Sequence, residues 1–317
     1  MTSRALESMK SEWTRACEAG PLIVRKLHLR QVRLFLAAYI ASFLLVLATM
    51  GPTLSILAAP LTLTFVVLVD MTVNYAGTHS PEIKNGPLEL SVLVIVGFAS
   101  TTLIVGLPSV IETPPYASVQ VGIIFARRVA VFLTSVLLAF GILRAQGYAR
   151  ETAGLTSKSM ASAWLVTMVF AVATAFVFPG RVAGITAGLP AHVAVAGLFI
   201  AVMIEVVFVA FSEELLVRGM IQDRFIAVTG STKTGIILAA LVFAFFHIPK
   251  HIFSEALTLW GFISVVPLCI VLYGPAGITF GIIFHRTRSL KWSTAVHAII
   301  NLANVDSLGF LLAALLL

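Results

Sequence analysis

Apolar runs long enough to cross a lipid bilayer recur along this 317-residue chain, and no other feature restricts its fold so strongly. They fall at 34–50, 54–74, 88–107, 118–143, 160–178, 191–217, 234–247, 252–273, 276–285 and 292–317. A helix needs roughly 20 such residues to span ~30 Å of hydrocarbon, and an apolar layer admits only helices or closed barrels. Only 11% of the residues are charged and the mean hydropathy is +1.02, whereas a soluble domain carries about 25% charged residues. The expected fold is therefore an all-α, polytopic membrane helix bundle with about eight to ten membrane-embedded helices.

The connections organise the bundle. Residues 1–33 are polar and basic, with Arg4, Lys10, Arg15, Arg25, Lys26, Arg30 and Arg33, and they read as a cytoplasmic tail. Residues 34–145 form an N-terminal group of transmembrane helices. The polar loop "RAQGYARETAGLTSKS" separates them from a second transmembrane domain, 146–317. Gly51-Pro52 makes the first break, and "NYAGTHSPEIKNGP" and "GLPSVIETPPY" are turn-rich connections. The net charge of +7 comes from basic residues gathered between apolar runs. That pattern indicates topology and contact with lipid headgroups, and nucleic acid is not an expected partner. The positive-inside bias puts the N-terminus in the cytoplasm, and counting spans forward brings Arg218, Arg224 and Lys233 to the same side; Arg286, Arg288 and Lys291 join them only if 252–285 crosses once. The two cysteines, Cys17 and Cys269, show no pairing or metal spacing, and neither lies near the charged motif described next.

Charge inside an apolar run is costly, and intramembrane ionisable residues are functional candidates for that reason. Three short motifs on three helices carry them. In "FSEELLVRG" (211–219), Glu214 and Arg218 are four residues apart on one helical face and can pair. Glu213 lies about 100° around the helix and is left available for chemistry. In "FAFFH" (243–247), the segment 234–247 gives a helix of only ~21 Å. Pro249 disfavours helix at Ile248, so this helix should stop near His247, which requires protein or a wet cavity around its end. In "HAIIN" (297–301), His297 and Asn301 share a face. Each histidine alone could be a packing residue, and Glu205 alone reads as structural or cavity-lining. Three helices with polar groups at such spacing are harder to explain by packing.

"EELLVRG", "FAFFH" and "HAIIN" resemble the EExxxR, FxxxH and HxxxN signatures of the CPBP family, the CAAX-prenyl endopeptidases and their bacterial relatives. The resemblance covers about residues 150–305, so that 146–317 is expected to be the catalytic domain. It implies that Glu213 and His247 activate a water for attack on a peptide carbonyl. By the same resemblance His297 and Asn301 donate to the oxyanion, with Glu214, Arg218 and Phe243 in support. The implied substrate is a membrane protein or membrane-anchored peptide, with no cofactor or metal. Amide and imidazole N–H groups suit an oxyanion site on chemical grounds too.

Competing mechanisms are thinned by missing motifs: there is no HExxH, no G-x-S-x-G and no Gly-Asp pair. A zinc site built from Glu213, His247 and His297 remains a physical alternative. Against it, Glu214 is expected to be committed to Arg218 rather than to orienting a histidine, and Asn301 is a poor metal ligand. A non-catalytic scaffold of the same fold and a transporter with a polar midplane site are the other readings. The first has no need of all the motif residues. The second expects broken helices in both halves, whereas the polar clustering lies in one.

Overall fold

The computed structural model describes residues 30–51, 82–106, 117–155, 190–254 and 259–303, with isolated positions at 63, 66, 67, 69, 70 and 167. All regular structure among them is helical: α1 (Arg30–Met50), α2 (Gly86–Thr101, continued as a π turn over Thr102–Gly106), α3 (Ala117–Gln146), α4 (Ala191–Thr229), α5 (Thr232–Phe246), α6 (Ile248–Ser254), α7 (Leu259–Thr287) and α8 (Leu290–Ala303). Among the described residues, six helices are long and apolar enough to cross a membrane, so the chain is a multi-pass membrane protein. The apolar run 160–178, most of 54–74 and the end of 292–317 lie outside the described residues.

Local chemistry sets the helix ends. Met50 is followed by Gly51 at φ 76°, a conformation open to glycine, and then by Pro52. Pro87 stands in the first turn of α2, where a missing N–H costs nothing. At the end of α3, Gly147 has φ 67°, the Tyr148 N–H donates to the Leu143 carbonyl and the Gly147 N–H to that of Arg144. This pair of bonds closes the helix by satisfying its last carbonyls. Gly230, at φ 62°, ends α4, and the Ser231 hydroxyl then accepts from the Thr234 N–H to cap α5.

One expectation is met and one is revised. Residues 259–285 of the runs 252–273 and 276–285 cross once, as the placement of Arg286, Arg288 and Lys291 with the other basic residues requires, because α7 continues through Pro267 and Pro275. Proline is tolerated in membrane helices where neighbours satisfy the freed backbone, and here the Thr279 hydroxyl donates to the Pro275 carbonyl. The run 191–217 extends as helix to Thr229 and is interrupted by π winding at Glu205–Ala210 and Leu215–Gln222. The expected stop at His247 is present, with α6 starting directly beyond it.

The centre of the bundle is α5, the second half of α4, and α7. Two thirds of the apolar window of α7 is buried, against 17% for α2 and for α3, whose outer faces carry Leu88, Ile95, Leu133 and Leu137. Gly277 lets α5 and α7 touch: a Cβ there would meet the Ala240 Cβ at 2.9 Å. One end of the bundle is tied by buried ion pairs. Arg224 binds Glu89 at 2.9 Å, Arg286 binds Asp70 at 2.8 Å, and Arg288 makes a two-bond fork with Asp223 at 2.8 and 2.7 Å. Tyr148 donates to Glu89 at 2.8 Å, and its phenol, pushed up by burial, stays a donor. The turn from α7 to α8 lies at this basic end, where the Leu290 N–H donates to the Gly154 carbonyl.

Candidate active site

Three helices supply the charged groups of the site, and winding along α4 aims the first of them. Between its two π stretches a single α turn, Phe211–Glu214, carries both glutamates. Short π segments inside α-helices are frequent at functional sites because they re-aim side chains. Glu214 is fully buried, whereas the Glu213 side chain keeps 27% of its exposure. The two acids therefore face different surroundings, as their 100° separation requires.

Glu214 has two partners. One carboxylate oxygen lies 3.3 Å from Arg218 Nε, close enough for an ion pair but not aligned as a hydrogen bond. The other accepts from His297 Nδ1 at 3.0 Å. Arg218 is itself completely buried, its guanidinium lying over the rings of Phe243 and Phe280 at 5.1 and 5.8 Å. Aromatic faces attract such a cation and replace part of its lost hydration. This corrects the expectation that Glu214 serves Arg218 alone: it also holds His297.

The other side of the His297 ring, Nε2, lies 3.7 Å from Glu213 Oε2, an atom that accepts no hydrogen bond from the described residues. His297 thus stands between the two acids, with the Phe280 ring stacked on it at 4.6 Å and 16°. His247, just beyond the last turn of α5, donates Nδ1–H to the Phe243 carbonyl at 2.8 Å. That bond leaves Nε2 with a free lone pair. The His247 ring stacks on Tyr273 at 3.8 Å, and the Tyr273 hydroxyl meets His251 Nε2 at 3.0 Å. Phe243 joins the parts, its ring standing edge-on to His247 at 4.9 Å and to His297 at 5.6 Å.

Asn301 shares the face of His297 on α8, but its direct partner is Glu205, to which Nδ2 donates at 2.7 Å. Glu205 is buried and also meets Arg128 of α3 at 3.6 Å. Eight residues on a regular helix would turn Glu205 about 80° away from Glu213. The π winding over Glu205–Ala210 turns each residue by less and brings the two acids closer in bearing.

At 1.5 Å per residue, Glu213, His297 and Asn301 lie roughly 10–16 Å inward from the basic end, counted from Asp223 and Leu290. His247, at the far end of the 15-residue α5, lies roughly 22 Å inward. Measured against a ~30 Å layer, the first three depths are near the middle and that of His247 is nearer the far side. Tyr273, Phe280 and Arg128 carried no motif signal. Arg127-Arg128 inside an apolar run was the one available hint, since such charge is costly there.

Both histidines have an oriented Nδ1, the arrangement that zinc-binding histidines commonly show. Among the described residues, however, no three His, Cys, Asp or Glu side chains are grouped so as to hold a metal ion.

Comparison with known proteins gives one match. Residues 195–303, about a third of the chain, fit the family model described as type II CAAX prenyl endopeptidase, Rce1-like. That segment runs from α4 to the end of α8 and includes all three motifs. No curated protein and no solved structure matches the chain. The similarity to this family is carried by residues 195–303.

Proposed function

From the premise that residues 195–303 form an Rce1-like domain, we propose that the chain is an intramembrane endopeptidase that hydrolyses one peptide bond of a membrane-anchored substrate. The observation that carries the reading is the placement of His297 between Glu213 and Glu214, with one acid buried in an ion pair and the other partly exposed. Two acids of one turn with opposite surroundings suit two roles. Glu214 is the fixed partner; Glu213 is the base.

Protonation follows from the hydrogen bonds. His247 gives its Nδ1 proton to a backbone carbonyl, so its Nε2 is an acceptor. Glu213 and His247 Nε2 together take the proton from an attacking water. His297 holds Nδ1–H against Glu214, so it can donate from Nε2 only as an imidazolium. Two flanking carboxylates stabilise that cation. It donates to the oxygen of the tetrahedral intermediate, and Asn301 donates with the second N–H of its amide. The proton taken from water then passes to the leaving amine.

The test uses purified protein in proteoliposomes with an internally quenched, farnesylated peptide ending in a CAAX sequence. Glu213→Gln and His247→Ala should each remove cleavage. Asn301→Ala should lower kcat by about 10²–10³, the usual cost of one oxyanion donor. Wild-type activity should survive exhaustive chelation. Activity lost to chelator and restored by zinc would replace glutamate-activated water by a zinc mechanism. Full activity in Glu213→Gln would end the assignment of the base.

A further inference from the structure

The site reaches beyond the family-matched segment. Among the described residues the direct side-chain partner of Asn301 is Glu205, whose carboxylate is buried. A buried carboxylate is costly unless paired, and the cation facing it is Arg128 of α3, with 22% of its side chain exposed. Arg128 lies outside residues 195–303, in the N-terminal helices. The contact thus crosses three helices, α3, α4 and α8, and ends on an amide that shares a face with His297.

The chemistry of the amide explains why such a chain matters. A free carboxamide rotates and presents oxygen or nitrogen with similar ease. A carboxylate offers only acceptors, so it selects the nitrogen of Asn301 and fixes the plane of the amide. The second N–H then has one direction, and the oxygen is turned away from Glu205. Holding a donor in place before reaction is what makes it effective toward a developing oxyanion.

We propose that Glu205 is the positioning residue for Asn301, and that Arg128 of α3, by its ion pair with Glu205, holds that carboxylate in place. The proposal rests on the peptidase reading given above. It assigns a function to the N-terminal helices: α3 supplies part of the support of the site.

The experiment is a double-mutant cycle in proteoliposomes with the same farnesylated CAAX peptide, rates being normalised to folded protein by size-exclusion chromatography. Glu205→Ala should lower kcat at least tenfold with KM unchanged. Combined with Asn301→Ala, it should cost no more than Asn301→Ala alone, because both remove one oriented donor. Glu205→Gln, whose amide oxygen still accepts from Asn301, should recover most of the loss. Arg128→Ala should lower kcat in the wild-type background and add nothing in Glu205→Gln, where there is no charge to balance. If Glu205→Ala fails to fold, the pair Glu205→Gln and Arg128→Ala completes the cycle. Losses that multiply in the Glu205→Ala/Asn301→Ala protein would overturn the proposal, since a merely structural residue acts independently of Asn301. So would an Arg128→Ala loss of equal size in both backgrounds. Wild-type protein that leaves the peptide intact would overturn the peptidase reading and this proposal with it, whereas cleavage with multiplied losses overturns this proposal alone.

Discussion

Two histidines, each held through Nδ1, carry the proposed chemistry at the scale of single residues. His247 holds Nδ1 against a backbone carbonyl and His297 against a carboxylate, and the proposed mechanism uses the first as acceptor and the second, as imidazolium, as donor. Their orientation depends on rings that no motif marks. Tyr273 stacks on His247 and bonds His251. Tyr273→Phe keeps the stack and loses only the hydroxyl, so kcat should stay within about threefold. Tyr273→Leu removes the face against which His247 lies, and a misplacement near 1 Å costs on the order of 10² in rate. Equal kcat values for the two variants would show that the stack is incidental. The residues legible in the sequence were those whose charge or polarity made them conspicuous in an apolar run: Glu213, Glu214, Arg218, His247, His297 and Asn301. Tyr273 and Phe280 were not, because an aromatic residue in a membrane helix looks the same whether it faces lipid or a catalytic ring. The double duty of Glu214 was hidden for another reason. Spacing within one helix shows its Arg218 partner, while its His297 partner comes from another helix.

Helix winding and helix ends position these residues. The 3.6-residue period placed Glu214 with Arg218 and His297 with Asn301, and Pro249 marked the end of α5. The π segments of α4 had no such signal, since winding of this kind is settled by packing rather than by local propensity. Helix α7 runs through Pro267 and Pro275, and the Thr279 hydroxyl donates to the Pro275 carbonyl there. The turn between α7 and α8 depends on Arg288, whose φ of 50° is unusual for a residue with a side chain. Its fork to buried Asp223 holds it there. Asp223→Ala removes that fork from a buried guanidinium, and breaking a buried ion pair costs about 3–5 kcal/mol. Thermal unfolding in detergent should therefore show a clear drop in Tm. An unchanged Tm would mean that the pair contributes nothing to holding α8, and so His297, in register. At the α5–α7 crossing, Gly277→Leu should separate the helices and destabilise by about 1–3 kcal/mol through overpacking, read by the same unfolding measurement.

Across the whole molecule, one end is basic and tied by ion pairs, and the site lies near mid-depth with its acids facing α8. By the positive-inside rule we propose that the basic end faces the cytoplasm. With Cys17 replaced and Cys269 buried, single cysteines at Arg150, Lys233 or Lys291 should react with an impermeant maleimide only from the cytoplasmic side. Labelling from the opposite side would invert the topology without touching the site. The central claim is that this buried arrangement cuts a peptide bond through Glu213, and mass spectrometry of the products tests it most directly. Wild-type protein in proteoliposomes, given a farnesylated CAAX peptide, should release one fragment with a single new terminus at the carboxyl side of the prenylated cysteine. Glu213→Gln, folded and reconstituted to the same level, should leave the peptide whole. An intact peptide with both proteins, or the same new terminus with both, would contradict the account.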